Sequence, residues 1–233
     1  MLRTAPSTAP PLAAAPVLSR RDSVVLELRR AVVRGVLRPG DKLTEINLSK
    51  ALAVSRPTLR EALNQLAQEG LLVQEPYRGL RVARLDAAQI MDGARTRHAL
   101  DMLAVDELLA DSTGERMDDV EAYWRDFERL EHHRDPLTRH EAHIAFHRGI
   151  WAASGNSVLL RMWPVTEAHL TIALGHEQAV RPVSERADEG HRRLIAALHT
   201  RDRTAIESAF RAHTVSGAQE LVSLIEAEGQ EET

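Results

Sequence analysis

The sequence contains no cysteine. That excludes disulfides and any thiolate-ligated metal. Aromatic residues make up only 3% of the chain, so a core must be packed mostly from aliphatic side chains. No apolar run approaches the ~18 residues that a membrane-spanning helix requires, and no membrane partner is expected. The first residues, MLRTAPSTAPPLAAAPVL, are rich in Ala, Pro and Thr and lack the continuous apolar stretch of a signal peptide. Residues 1–18 are therefore expected to form a disordered tail, and the chain is expected to be cytoplasmic. What remains is ordinary for a globular protein: 233 residues, 43% hydrophobic and 27% charged, enough for one large domain or two small ones.

The net charge of -4 conceals an asymmetry. Residues 19–84 carry 13 basic and 7 acidic side chains, a net of +6, whereas residues 85–233 carry 16 basic and 27 acidic ones, a net of -11. A basic first third on an acidic body suggests that the first third meets a polyanion.

The basic third reads as three helices and a hairpin. RDSVVLELRRAVVRG places Val25, Leu28 and Val32 at helical spacing, and Gly35 is positioned to end the helix. LRPGDKL is a turn. Thr44 can cap a short helix, EINLSKAL. Ser55 caps a third, RPTLREALNQLAQEG, with Pro57 tolerated in its first turn and Gly70 just past its end. LLVQ and LRVAR read as strands joined by the turn EPYRG. This order predicts a winged helix-turn-helix over residues 19–84. In the third helix Leu59, Leu63 and Leu66 line a face to be buried, while Arg56, Arg60 and Asn64 fall at i, i+4 and i+8 on another. Guanidiniums there can reach phosphates or the acceptor edge of guanine in a major groove, which makes double-stranded DNA the expected partner.

GVLRPGDKLTEINLSKALAVSRPTLREALNQLAQEGLL resembles the DNA-binding domain of GntR-family bacterial transcription regulators. The likeness rests on the G-x-L-x-P-G-x-x-L-x-E turn and helix, the V-S-R-x-x-x-R-E-A-L recognition helix and the E-G-L before the wing. It implies DNA contacts from Arg56, Arg60 and the wing glycine, Gly79, with Thr58 at a frequent contact position. Ser55 and the wing's Arg78 complete the expected contacting set. Many members carry Thr-Pro after the first arginine; this chain carries Pro57-Thr58, so base preference is not transferable.

From Asp86 onward helices are separated by short breaks. AAQIMDGARTRHALDMLAVDELLA and ERMDDVEAYWRDFERLEHH are the first two, the second with Val120, Tyr123, Trp124, Phe127 and Leu130 on a core stripe. A third runs from Asp135-Pro136 to Ser154-Gly155. A fourth spans about Asn156 to Gly175, with a kink expected at Pro164. A fifth is capped by Ser184, and a last runs from about Thr204 to Ala227. Residues 85–233 are thus expected to form an all-α helical bundle.

The chain has 11 histidines. His143 and His147 share a helix face by the i, i+4 rule, either as a ligand pair or as polar residues of one helix. His191 and His213 have apolar neighbours a turn away and are expected to face inward. His132, His133 and His140 sit among charges and are expected to be solvated.

The body resembles the FCD-type ligand-binding domain of the FadR subgroup. RHALD, HIAFHRGIWAASGN, EGHRRLIAAL and RDRTAIESAFRAHT carry the likeness. It implies a divalent metal on one aspartate and three histidines. His147, His191 and His213 match the histidines, and His143 occupies the aspartate position. Four imidazoles would favour zinc, with nickel or copper possible, over magnesium or calcium. The resemblance also implies an organic-acid effector, with Arg97 either holding a carboxylate or paired structurally with Asp101, and with Asn156 of the S-G-N motif at the effector site. A metal-free cluster of imidazolium rings binding an anion directly is the alternative. The expected function is a ligand-responsive regulator that binds a palindromic operator as a homodimer. A metal-dependent enzyme on a helical bundle is one rival, although no HExxH motif is present. A constitutive DNA-binding protein with a purely dimerising body is the other.

Overall fold

The structure, a computed structural model, describes residues 18–180 and 185–231. Most of the expected N-terminal tail and the expected cap Ser184 lie outside the described residues.

Helix α1 (Arg20–Val33) starts where Ser19 Oγ accepts from the Asp22 amide at 3.0 Å, and it buries Val24, Val25, Leu28 and Val32. A short α2 (Glu45–Ala51) leads into α3 (Arg56–Glu69). Pro57 lies in the first turn of α3, where no amide is needed, and Gly70 ends it at φ 87°, a conformation that suits glycine. Strands β1 (Leu72–Glu75) and β2 (Gly79–Val82) pair antiparallel from Leu72↔Val82 to Glu75↔Gly79. A bridge from Lys42 to Arg81 ties the turn before α2 to this wing.

Seven helices follow among the described residues. Asp86 and Gln89 form a reciprocal capping box at the start of α4 (Ala87–Ala110). Next come α5 (Glu115–Leu130), α6 (Pro136–Ala153), α7 (Ser157–Val180) and α8 (Glu185–Thr200). The expected last helix is two, α9 (Arg203–Arg211) and α10 (Gly217–Glu231), joined by a π-helical segment at Ala212–Ser216. Helix α7 continues through Pro164 and past Gly175. A single glycine costs a helix only about 1 kcal/mol, and its neighbours are not breakers.

The apolar interior has two parts. One lies between α4, α5, α6, α7, α8 and α9 and includes Trp124, Phe146, Ile150, Trp151 and Phe210. The other is the interior of the winged helix, with Val25, Leu28, Leu59, Leu66 and Leu71, and it includes Ala168 and Ile172 of α7. Among the described residues, no helix is long and apolar enough to cross a membrane.

Candidate DNA-reading face and histidine cavity

Helix α3 turns Leu59, Leu63 and Leu66 inward and leaves Arg56, Arg60 and Asn64 exposed. Ser55 Oγ accepts from the Thr58 amide at 3.3 Å and lies 2.8 Å from Thr58 Oγ1, so both hydroxyls are engaged in the helix cap. Arg60 Nε donates to both carboxylate oxygens of Glu45, at 3.0 and 2.8 Å. Glu45 opens α2, and nothing in its sequence spacing marks it as a partner of Arg60. Nε is thereby occupied, while the Arg60 side chain remains 63% exposed. At the wing, Tyr77 (φ 63°) and Gly79 (φ 84°) take left-handed backbone, and the Arg78 side chain is 74% exposed. The predicted DNA-contacting residues thus lie on α3, on its cap and on the wing.

The four predicted ligand histidines meet. One ring nitrogen from each of His143, His147, His191 and His213 lies within 4.8 Å of all the others. His147 Nε2 stands 3.1 Å from His191 Nε2 and 3.2 Å from His213 Nε2. The His143 ring is 4.7 Å from the rings of His147 and His191. Phe127 and Phe146 pack against the cluster. His143 Nε2 and His147 Nδ1 are buried without a hydrogen-bond partner. Burial holds His143, His147 and His213 well below the ordinary imidazole range, and nearby Arg97 and the other imidazoles push the same way. Neutral imidazoles with inward lone pairs are the form that ligates a cation. Nitrogens bound to one ion at ~2.1 Å stand roughly 3.0–3.4 Å apart, which the two short contacts match. The π-helical segment carries His213; such segments offset the helix register and recur at functional sites.

The cluster borders a cavity of about 1180 Å³ between α4, α7, α8, α9 and α10. His143, His191 and His213 line it, together with Arg97 and His169, while His147 is not among the lining residues. Sequence reasoning passes over His169. Its ring approaches Gly93 so closely that a Cβ there would lie 3.2 Å from it. Arg97 is 7% exposed, with Nε 3.4 Å from Asp101 Oδ2. Both alternatives for Arg97 therefore have a structural counterpart, because the pair is present yet loose. Arg97 Nε, Arg97 Nη2 and Asp101 Oδ2 all lack hydrogen-bond partners, which is costly at such burial.

Two expectations are not met by the placement of the residues. Asn156 is not brought to the cavity; its Oδ1 accepts from the amides of Val158 and Leu159 and caps α7. His140 is not solvated. It is buried, 3.4 Å from Thr171 Oγ1, and burial lowers its pKa to about 4. Its charged sequence neighbours face elsewhere on α6, whereas Leu137 and Ile144, a turn away on either side, are buried with it.

Comparison with known proteins agrees with these observations. Residues 20–82 match "Bacterial regulatory proteins, gntR family", and residues 92–216 match the "FCD domain". An uncharacterized HTH-type transcriptional regulator in an unstable DNA locus of Streptomyces ambofaciens is 32% identical over 204 residues, 84% of this chain and 81% of that protein. The HTH-type transcriptional repressor GlaR of Escherichia coli (strain K12) is 27% identical over 197 residues, 81% of this chain and 90% of GlaR. The structure of E. coli McbR/YncC shares the fold, with a TM-score of 0.72 at 20% identity over 89% of this chain and 99% of that one. A basic winged helix joined to a histidine-bearing helical body, matched along both parts by these relatives, places the chain in the gntR family of bacterial regulatory proteins, as a DNA-binding transcriptional regulator with an FCD domain and not as an enzyme.

Proposed function

We propose that the chain is an effector-responsive regulator acting in the cytoplasm, which binds a palindromic operator as a homodimer and takes a divalent metal and a small organic acid in its histidine cavity. A two-fold operator would follow from a homodimer, because paired recognition helices need half-sites about one helical turn apart. The observation that carries the reading of the cavity is the meeting of four imidazoles beside a buried Arg97 whose Nε and Nη2 make no hydrogen bond.

The residues fit a metal. His143, His147, His191 and His213 would hold it, and an all-nitrogen set favours zinc or nickel over magnesium. Bound there, the ion supplies a positive centre for a carboxylate. Arg97 would bind a carboxylate through its free N–H groups and orient it. His169 would meet the same ligand from α7. The lowered basicity of His143, His147 and His213 disfavours an anion held by imidazolium charge alone.

His191→Ala is expected to abolish stoichiometric zinc or nickel uptake by the purified, chelator-stripped chain. Elemental analysis finding equal metal in variant and wild type would sink the four-histidine assignment. For the effector, calorimetric titration with a panel of mono-, di- and tricarboxylates is expected to find a binder whose affinity falls at least about tenfold in Arg97→Gln. An unaffected affinity would remove Arg97 from the site.

A further inference from the structure

Helix α7 serves two parts of the molecule. His169 and Leu170 line the cavity, whereas Ala168 and Ile172 are packed into the interior of the winged helix. A continuous series of contacts leads from one to the other. Arg97, at the cavity, faces Asp101. Asp101 Oδ1 accepts from Trp151 Nε1 at 2.7 Å. Trp151 meets Trp163 edge to face, with ring centroids 5.1 Å apart at 83°. Trp163 Nε1 donates to Glu167 Oε2 at 3.1 Å. Glu167 Oε1 accepts from Arg29 Nη1 at 2.9 Å, and Arg29 Nη2 donates to Glu69 Oε2 at 2.5 Å. Glu69 is the last residue of α3, the helix presented to DNA.

Packing alone does not account for this series. Two tryptophans buried for their apolar area would need only some polar partner for each indole N–H. Here the Trp151 N–H goes to Asp101 on another helix, the Trp163 N–H goes to Glu167 one turn along α7, and carboxylates from α3 and α7 share one guanidinium on α1. Asp101, Trp151 and Trp163 are each no more than 2% exposed, so water cannot replace a lost partner, and a shift at one member must be taken up by the next. The loose member is the first, where Arg97 and Asp101 leave hydrogen-bonding capacity unused. An acid entering the cavity would compete with Asp101 for Arg97.

We propose that Asp101, Trp151, Trp163 and Glu167 are positioning residues that couple the state of Arg97 in the cavity to the seating of recognition helix α3 on the body. The coupling rests on the reading of the cavity as an acid-binding site, because only a ligand that favours one arrangement can shift the equilibrium.

Spatial connection by itself does not establish coupling, and a double-mutant cycle measures it. The cycle uses the full chain without effector, and a duplex enriched by the wild-type chain from a random-sequence pool. Asp101→Asn keeps the acceptor for Trp151 but removes the charge facing Arg97. Trp163→Phe keeps an aromatic ring at the position, though a smaller one, and removes the N–H given to Glu167. Each single variant is expected to change the Kd for the duplex at least about fivefold, and the double variant no more than the larger single one. If the two factors multiply, or if either single variant leaves the Kd unchanged as a pure packing role predicts, the coupling is wrong. Should Asp101→Asn fail to fold by circular dichroism, Trp151→Phe takes its place, removing the N–H that Asp101 accepts. Calorimetric titration of the wild type with the same carboxylate panel separates the two readings. Absence of binding alongside an intact cycle rejects the acid site and keeps the coupling.

Discussion

At the residue scale, Arg60 and His140 illustrate two uses of a titratable side chain. The Arg60–Glu45 pair is exposed, and such pairs add little to stability. Its expected effect is on orientation, since Glu45 holds Nε. Arg60→Ala is expected to weaken specific DNA binding by roughly 1–3 kcal/mol, read by fluorescence anisotropy; no change would remove its base-reading role. Glu45→Gln is expected to narrow the gap between specific and nonspecific affinity, because it frees Arg60 and removes a negative charge beside the DNA. An unchanged ratio would mean that Glu45 does not direct Arg60. His140 acts through its neutrality. Its folded-state pKa of about 4 lies below the ordinary 6.5, so the unfolded chain binds more protons between these values. The resulting stability is fully present above pH 6.5, falls as the pH drops toward 4, and falls no further below that. Urea unfolding at pH 7 and pH 5 is expected to show about 2 kcal/mol more acid destabilisation in the wild type than in His140→Leu. Equal losses in both proteins would place the acid sensitivity elsewhere.

At the element scale, the π-helical segment is the feature with the clearest consequence for the site. Deleting Ala212 would restore an uninterrupted α-helix and rotate His213 by about 100° relative to α9. Helix content by circular dichroism should persist while zinc affinity falls at least about tenfold; an unaffected affinity would show that the segment is not what aims His213. Most element boundaries were legible in the sequence, because apolar periodicity, capping residues and Gly70 all act locally. The span 87–110 of α4 was read in full from its unbroken helical pattern. The π segment was not legible, since Ala-His-Thr-Val-Ser contains no breaker and an offset of one residue depends on packing. Within the site, His143 and His147 could be paired by spacing alone. His191 and His213 could be judged inward-facing, but their meeting came from a resemblance. His140 was misjudged from its charged neighbours, although buried residues three before and four after it held the correct signal. His169 and Glu45 act across elements, and no local pattern marks such a contact.

At the scale of the whole molecule, charge is divided between a basic DNA-binding end and an acidic body. Binding should therefore weaken steeply with salt. If Arg78 contacts a phosphate, Arg78→Ala should weaken binding to all sequences alike and reduce the slope of log affinity against log salt by about 1. A loss confined to one sequence would make it a base contact instead. The body does more than follow the winged helix in the chain, because Ala168 and Ile172 of α7 complete the interior of that unit. Burying a side chain such as Ile172 contributes about 1.5–3 kcal/mol, and a fragment ending near Leu85 would lose that contribution. Head and body are thus not freely exchangeable parts. A chimera that joins this DNA-binding end to another regulator's helical domain would keep its stability only if the new domain reproduced the face of α7, so the two halves are expected to be inherited as a matched pair.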